Sequence, residues 1–147
     1  LLAVISTLVV RMVELNPAGD NFTDKAWFPL TSETGFYPAP EGYSPPKGKR
    51  EPEVGLECYK VGRTTGASHQ PIFDAGANLK VKFGALGVLE FLDIFLTETQ
   101  SAGGDSGSPA FTSDMMVLGT LFAGGPTLTA FVKEKYTPEY LELIGRI

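Results

Sequence analysis

Residues 103–109 read Gly-Gly-Asp-Ser-Gly-Ser-Pro, and no helix can run through them. Glycines at 103, 104 and 107 and a proline at 109 force a turn, and only beyond the proline does a strand-like run, Ala110-Phe111, begin. The same punctuation recurs along the chain, where 17 glycines and 11 prolines divide 147 residues into short apolar runs. A chain cut this way has the length of one ordinary domain and favours strands joined by turns over packed helices.

Those runs can be placed. Leu56–Val61 reads as a strand, Gly62-Arg-Thr-Thr-Gly66 as a turn, and Leu79-Lys-Val-Lys-Phe83 alternates strictly, as a half-buried strand does. Val88–Leu96 is mostly apolar. Met115–Phe122 and Thr127–Val132 read as two further strands around Ala123-Gly-Gly-Pro126. Residues 31–53 hold Pro38, Pro40, Pro45, Pro46 and Pro52 and form a connector without regular structure. The tail opens with Thr137 as N-cap and Pro138 at the first helical position, which predicts a C-terminal helix. At the other end, residues 2–15 form one long strand or two, and Asn16–Asp20 is a turn. The initial apolar run stops at Arg11, short of the ~20 residues that span a membrane. A chain that starts in mid-strand without Met reads as a fragment of a longer protein.

Charge narrows the partners. The net charge of −5 gives no electrostatic basis for nucleic-acid binding, and the basic cluster Lys47–Arg50 sits in the Pro/Gly-rich stretch as a solvated loop. The carboxylates Glu90, Asp93 and Glu98 have no His or Cys beside them, so neither a metal nor a cofactor is expected. The one cysteine, Cys58, cannot form an internal disulfide and lies in an apolar stretch as a buried, inert thiol. Asn21-Phe-Thr23 matches a glycosylation acceptor, a tripeptide common by chance.

Ser106 stands between small residues, directly after an acid. A serine nucleophile needs such a place: the glycines let a substrate carbonyl approach the backbone, and the N–H groups of Gly104 and Ser106 can point at one developing oxyanion. A plain Gly-Ser turn between two strands would use the same residues. The nucleophile elbow of α/β-hydrolases is excluded, because it needs glycine where Ser108 stands.

The string Gly-Asp-Ser-Gly-Ser-Pro resembles the nucleophile motif of trypsin-like, chymotrypsin-fold serine proteases. Tyr59-Lys-Val-Gly-Arg-Thr-Thr-Gly66 and Leu118-Gly-Thr-Leu-Phe-Ala-Gly-Gly125 resemble segments of the branch with bacterial members and the plant Narrow Leaf type. Asn21-Phe-Thr-Asp-Lys-Ala26 resembles its aspartate motif, although Lys25 and Trp27 are larger than usual there, and Gly125 stands where serine is usual.

The resemblance implies an all-β, chymotrypsin-like antiparallel β-barrel. Residues 54–147 would be the complete C-terminal barrel with its terminal helix, 31–53 the connector, and 1–30 a remnant of the N-terminal barrel. It implies Ser106 as nucleophile, Asp24 as orienting acid, and Gly104 and Ser106 as oxyanion hole. Asp105 would be buried and charge-paired. Gln100, Ser101, Ala123, Gly124 and Gly125 would contact the substrate, a polypeptide. Gln100, six residues before the nucleophile and not an acid, implies a neutral side chain at the cleavage site. The lone histidine, His69, lies between acid and nucleophile, out of the family's order, and reads as a loop residue. The base is then expected in a missing segment of the N-terminal barrel. A catalytically inactive domain used for binding or assembly is the alternative, and an esterase or acyltransferase would share the same serine chemistry.

Overall fold

The structure is a computed structural model that describes residues 4–5, 8–9, 12–14, 19–27 and 39–137. Its strands are β1 (Val4–Ile5), β2 (Leu8–Val9), β3 (Met12–Glu14), β4 (Lys25–Trp27), β5 (Gly48–Lys49) and β6 (Glu57–Gly62). They continue with β7 (Gly66–Lys82), β8 (Val88–Glu98), β9 (Pro109–Phe111), β10 (Met116–Gly124) and β11 (Leu128–Lys133). Short 3-10 turns at Gly84–Leu86 and Glu134–Tyr136 are the only helical pieces among the described residues. The helix expected beyond Thr137 falls on residues outside them.

The strands β6 to β11 close on themselves. β6 pairs with β7, β7 with β8, β8 with β11, β11 with β10, β10 with β9 and β9 with β6, each pair antiparallel. The result is a six-stranded barrel over the span in which the sequence places the strands. Closure removes the free edges that an open sheet would expose. It demands a close approach at Gly119, where a Cβ would run into the carbonyl oxygen of Val132 on β11.

Two apolar layers account for the sequence pattern. Cys58, Ile72, Phe95, Ala110, Leu118, Leu121 and Phe131 form one cluster, in which the Phe95 and Phe131 rings stack 4.9 Å apart. Leu89, Phe91, Ile94, Leu96, Phe122, Ala130 and Val132 form the other, covered by Leu79, Val81 and Phe83 from β7 and the turn after it. Neighbours along β8 and β11 therefore face opposite layers and are buried on both sides. That is why these strands read as continuous apolar runs while the tip of β7 alternates. Truncating Phe95 or Phe131 to Ala would cost about 3–5 kcal/mol. Cys58 is fully buried, and burial, with the Glu57 charge beside it, pushes its thiol up to about 12. It is a packing residue.

Three regions differ from the sequence reading, and with the third goes the place of His69. Among the described residues, the N-terminal stretch shows the short strands β1, β2 and β3, with β1 paired to β2 and β3 to β4. The connector is not wholly irregular: β5 runs parallel to β10, framed by Lys47 N–H to Met115 O and Arg50 N–H to Val117 O. β7 starts at Gly66, well before the alternating stretch, and its register shifts near Asp74 and Ala77 absorb residues that disguise it as a loop. His69 therefore lies within a strand and not in a loop. Its partner across β6 is Tyr59.

Candidate active site

Residues 99–108, between β8 and β9, carry Ser106. The exit of this loop is fastened to β10, since Gly107 N–H donates to Leu121 O at 2.8 Å and Leu121 N–H to Ser108 O at 2.9 Å. The loop folds on itself through Asp105 N–H to Ala102 O and Ser108 N–H to Asp105 O. Gly104 and Gly107 hold φ of 101° and 91°, a left-handed region in which a side chain would be strained. Ser106 sits between them with its side chain exposed. The N–H groups of Gly104 and Ser106 donate to no described backbone acceptor.

Asp105, directly before the serine, is fully buried. Its Oδ1 accepts from Thr64 N–H at 2.7 Å and Thr65 N–H at 3.2 Å; its Oδ2 accepts from the Thr65 hydroxyl at 2.7 Å and Ala102 N–H at 3.0 Å. The buried Lys60 ammonium lies 3.8 Å from Oδ2 and donates to the Thr65 hydroxyl and to Gly66 O. Burial alone would push the Asp105 carboxyl up. The bonds from Thr65, Ala102 and Thr64 outweigh it and hold the group far below the usual carboxylate range. Gly62 leaves room for this arrangement, because a Cβ there would overlap Asp105 Oδ1.

Beside Ser106 lies a pocket of ≈ 390 Å³ lined by Ser101, Ala102, Gly103, Ser106, Leu121, Ala123, Gly124 and Gly125. The loop and the end of β10 form its two walls. Gly125 N–H donates to Leu128 O and the Thr99 hydroxyl to Gly125 O, which fixes the turn into β11. The Ser101 hydroxyl hydrogen-bonds Thr129 at 2.8 Å and stands where a Cβ on Gly124 would be.

Five of the residues singled out in the sequence thus meet at one pocket: Ser101, Ser106, Ala123, Gly124 and Gly125. Gln100 does not line it. Its side chain is buried behind the wall, donating to Thr97 Oγ1 at 3.0 Å and accepting from the Ser68 hydroxyl at 2.9 Å. Asp24 does not line it either. It follows Asn21, which docks on β8 through Asn21 N–H to Glu90 O and Leu92 N–H to Asn21 O. Burial raises the Asp24 carboxyl above its ordinary value. His69 stacks on Tyr59 with 4.8 Å between ring centroids, and its Nδ1 lies 2.5 Å from Glu57 Oε1.

Lys60, Thr64 and Thr65 went unassigned in the sequence, although all three lie in the Tyr59–Gly66 segment. The signal that could have found them is Asp105 itself: a buried carboxylate requires donors, and a Lys-x-Gly-x-Thr-Thr turn is rich in them.

No protein-family model matches the chain, and no curated protein does. Solved structures do. Protease A of Thermobifida fusca superposes with a TM-score of 0.65 at 24% identity, over 95% of this chain and 74% of its own. The chymotrypsin of Cellulomonas bogoriensis gives 0.53 at 20% identity, and the Nocardiopsis protease 0.52 at 21%. The chain spans 51% and 48% of those two proteins. These likenesses give the chain the chymotrypsin-like β-barrel fold.

Proposed function

We propose that this chain is the nucleophile-bearing portion of a trypsin-like serine endopeptidase, which cleaves peptide bonds through an acyl-enzyme on Ser106. The observation that carries the reading is an exposed serine hydroxyl at a pocket, on a loop whose Gly104 and Ser106 N–H groups have no described backbone acceptor and whose course is set by one buried ionised aspartate; Gly104 itself is not in the pocket lining. Among the neighbours of the same fold one is a chymotrypsin and two are proteases, which supports the same chemistry.

In that reading Ser106 Oγ attacks the substrate carbonyl carbon as a base takes its proton, and the oxyanion is held by the N–H groups of Gly104 and Ser106. The base returns the proton to the leaving amine, and water then splits the ester. Asp24 would orient the base. In this reading the base is a histidine supplied from outside this sequence, because its one histidine, His69, lies between Asp24 and Ser106, out of the order of the resembled family, and does not line the pocket. The pocket has no charged side chain in its lining, which supports a neutral residue at the cleavage site.

The absence of a histidine from the lining of the Ser106 pocket also favours a second reading, an inactive domain of this fold that binds or assembles. Fluorophosphonate labelling of the protein in its native length separates the two. The peptidase reading expects labelling that Ser106→Ala abolishes, and a turnover lowered about 10⁴-fold by Asp24→Asn with the fold intact. Wild-type protein that takes no label supports the binding module.

A further inference from the structure

The turn between β6 and β7 reaches the nucleophile loop at a second point besides Asp105. The Thr64 hydroxyl donates to the carbonyl oxygen of Gly103 at 2.8 Å. Thr64 is itself fixed from behind, since its N–H donates to Asp105 Oδ1 at 2.7 Å. The described chain has no cis peptide bonds. In a trans peptide the carbonyl and the next N–H point in opposite directions. Fastening Gly103 O to Thr64 therefore turns the Gly104 N–H away from Thr64. Neither Thr64 nor Gly104 is in the pocket lining, whereas the flanking Gly103 and Ser106 are, so turning the Gly104 N–H away from Thr64 turns it toward the side on which these two stand.

This peptide joins two glycines, so no side chain restrains its plane. Gly104 stands at φ 101° with the Thr64 hydroxyl packed where a Cβ would be. Its N–H has no described backbone acceptor to hold it. Among the described residues, the side-chain hydrogen bond to this peptide comes from the Thr64 hydroxyl.

We propose that Thr64 is the positioning residue of the oxyanion hole: its hydroxyl sets the Gly103–Gly104 peptide so that the Gly104 N–H faces the reacting carbonyl. The inference rests on the serine acyl-transfer reading above. It divides the labour of the turn. Thr65 and the Thr64 N–H hold the Asp105 carboxylate, and the Thr64 hydroxyl orients a single amide.

The test compares Thr64→Val, which keeps the shape and removes the donor, with Thr64→Ser, which keeps the donor. In the native-length protein, Thr64→Val should lower kcat by about 10–10²-fold, approaching the loss of a whole oxyanion donor. KM should stay within about twofold, and a peptide boronate should lose affinity by a factor similar to kcat. Thr64→Ser should restore both, and the melting temperatures of the three proteins should agree within a few degrees. Wild-type kcat in Thr64→Val, or an equal loss in Thr64→Ser, overturns the inference. So does a loss matched by a fall in melting temperature, which would make Thr64 a fold residue only. The orientation is also read without activity, from crystal structures of wild type and Thr64→Val. An unmoved Gly103–Gly104 peptide in the variant overturns the inference. A turned peptide, in a protein whose wild type shows no Ser106-dependent turnover, leaves the orienting role standing and refutes the peptidase reading instead.

Discussion

Two aspartates in this barrel each meet a buried lysine, and they hold different things. Asp105 is fully buried and takes its bonds chiefly from backbone N–H groups of two separate loops. Asp93, on β8, is 31% exposed at its side chain and takes its bonds from side-chain tips: Lys133 at 2.6 Å, the Tyr136 hydroxyl at 2.5 Å, and Lys135 at 3.3 Å. Backbone donors dictate the course of the chain, whereas side-chain donors can swing or be replaced by water. Asp105 therefore shapes the nucleophile loop, and Asp93 ties β8 to the end of β11 and the turn after it. One carboxylate is part of the site, and the other closes the barrel rim.

The largest expected effect breaks the first cluster. Asp105→Ala leaves Lys60 buried without its counter-charge and frees the N–H groups of Thr64, Thr65 and Ala102. Loss of one partner from a buried pair costs about 3–5 kcal/mol. Urea unfolding should show a loss of that size, and labelling of Ser106 should fall with it. A loss below about 1 kcal/mol would mean that the loop keeps its shape without the carboxylate, and the contrast drawn above would collapse.

The second cluster should matter less. Asp93→Ala removes the partner of Lys133, which is nearly buried but keeps Glu51 at 4.0 Å. A loss of about 1–2 kcal/mol is expected, decreasing in high salt because part of the cluster meets solvent. A cost equal to that of Asp105→Ala, unchanged by salt, would erase the distinction between a shaping and a fastening carboxylate.

Acid sharpens the same comparison. Burial opposes ionisation at Asp93, but the bonds from Lys133 and Tyr136 prevail and lower it to about 2. A depressed carboxylate contributes stability above its unfolded value of ~3.9, and that contribution is lost as pH falls through the folded value. The gap between wild type and Asp93→Ala should thus narrow between about pH 4 and pH 2 and close below it. Asp105 is held lower still, so the gap to Asp105→Ala should persist at a pH where the other has closed. Melting temperatures across about pH 1–6 for the three proteins would check this, and gaps that close together would refute the ordering.

How far the sequence led follows the same division between local pattern and distant contact. The barrel strands were legible because apolar runs and Gly/Pro turns are local signals. The start of β7 was not, since Pro71, Asp74 and Gly76 read as loop residues, and only pairing with β6 and β8 makes them strand. β5 was hidden for another reason: a Gly-Lys pair joined to β10 by backbone bonds leaves no side-chain signature. At the site, the turn glycines around Ser106 announced the loop. The donors that hold Asp105 did not announce themselves, because Thr64 N–H lies 41 residues away and every residue type but proline could supply a backbone N–H.

The smallest effect concerns the one histidine. His69 and Glu57 form a pair on the outside of the barrel, with side chains 57% and 39% exposed. Exposed pairs contribute at most about 1 kcal/mol, and the stacking on Tyr59 adds little where water reaches both rings. His69→Ala should accordingly cost less than about 1 kcal/mol and leave Ser106 labelling and turnover of the native-length protein unchanged. The 147-residue chain alone should turn over peptide about 10⁶-fold more slowly than an enzyme with its base. Efficient hydrolysis by that chain, abolished by His69→Ala, would make the strand histidine the base. It would also move the centre of catalysis from the loop that Asp105 shapes to the outer face of β7.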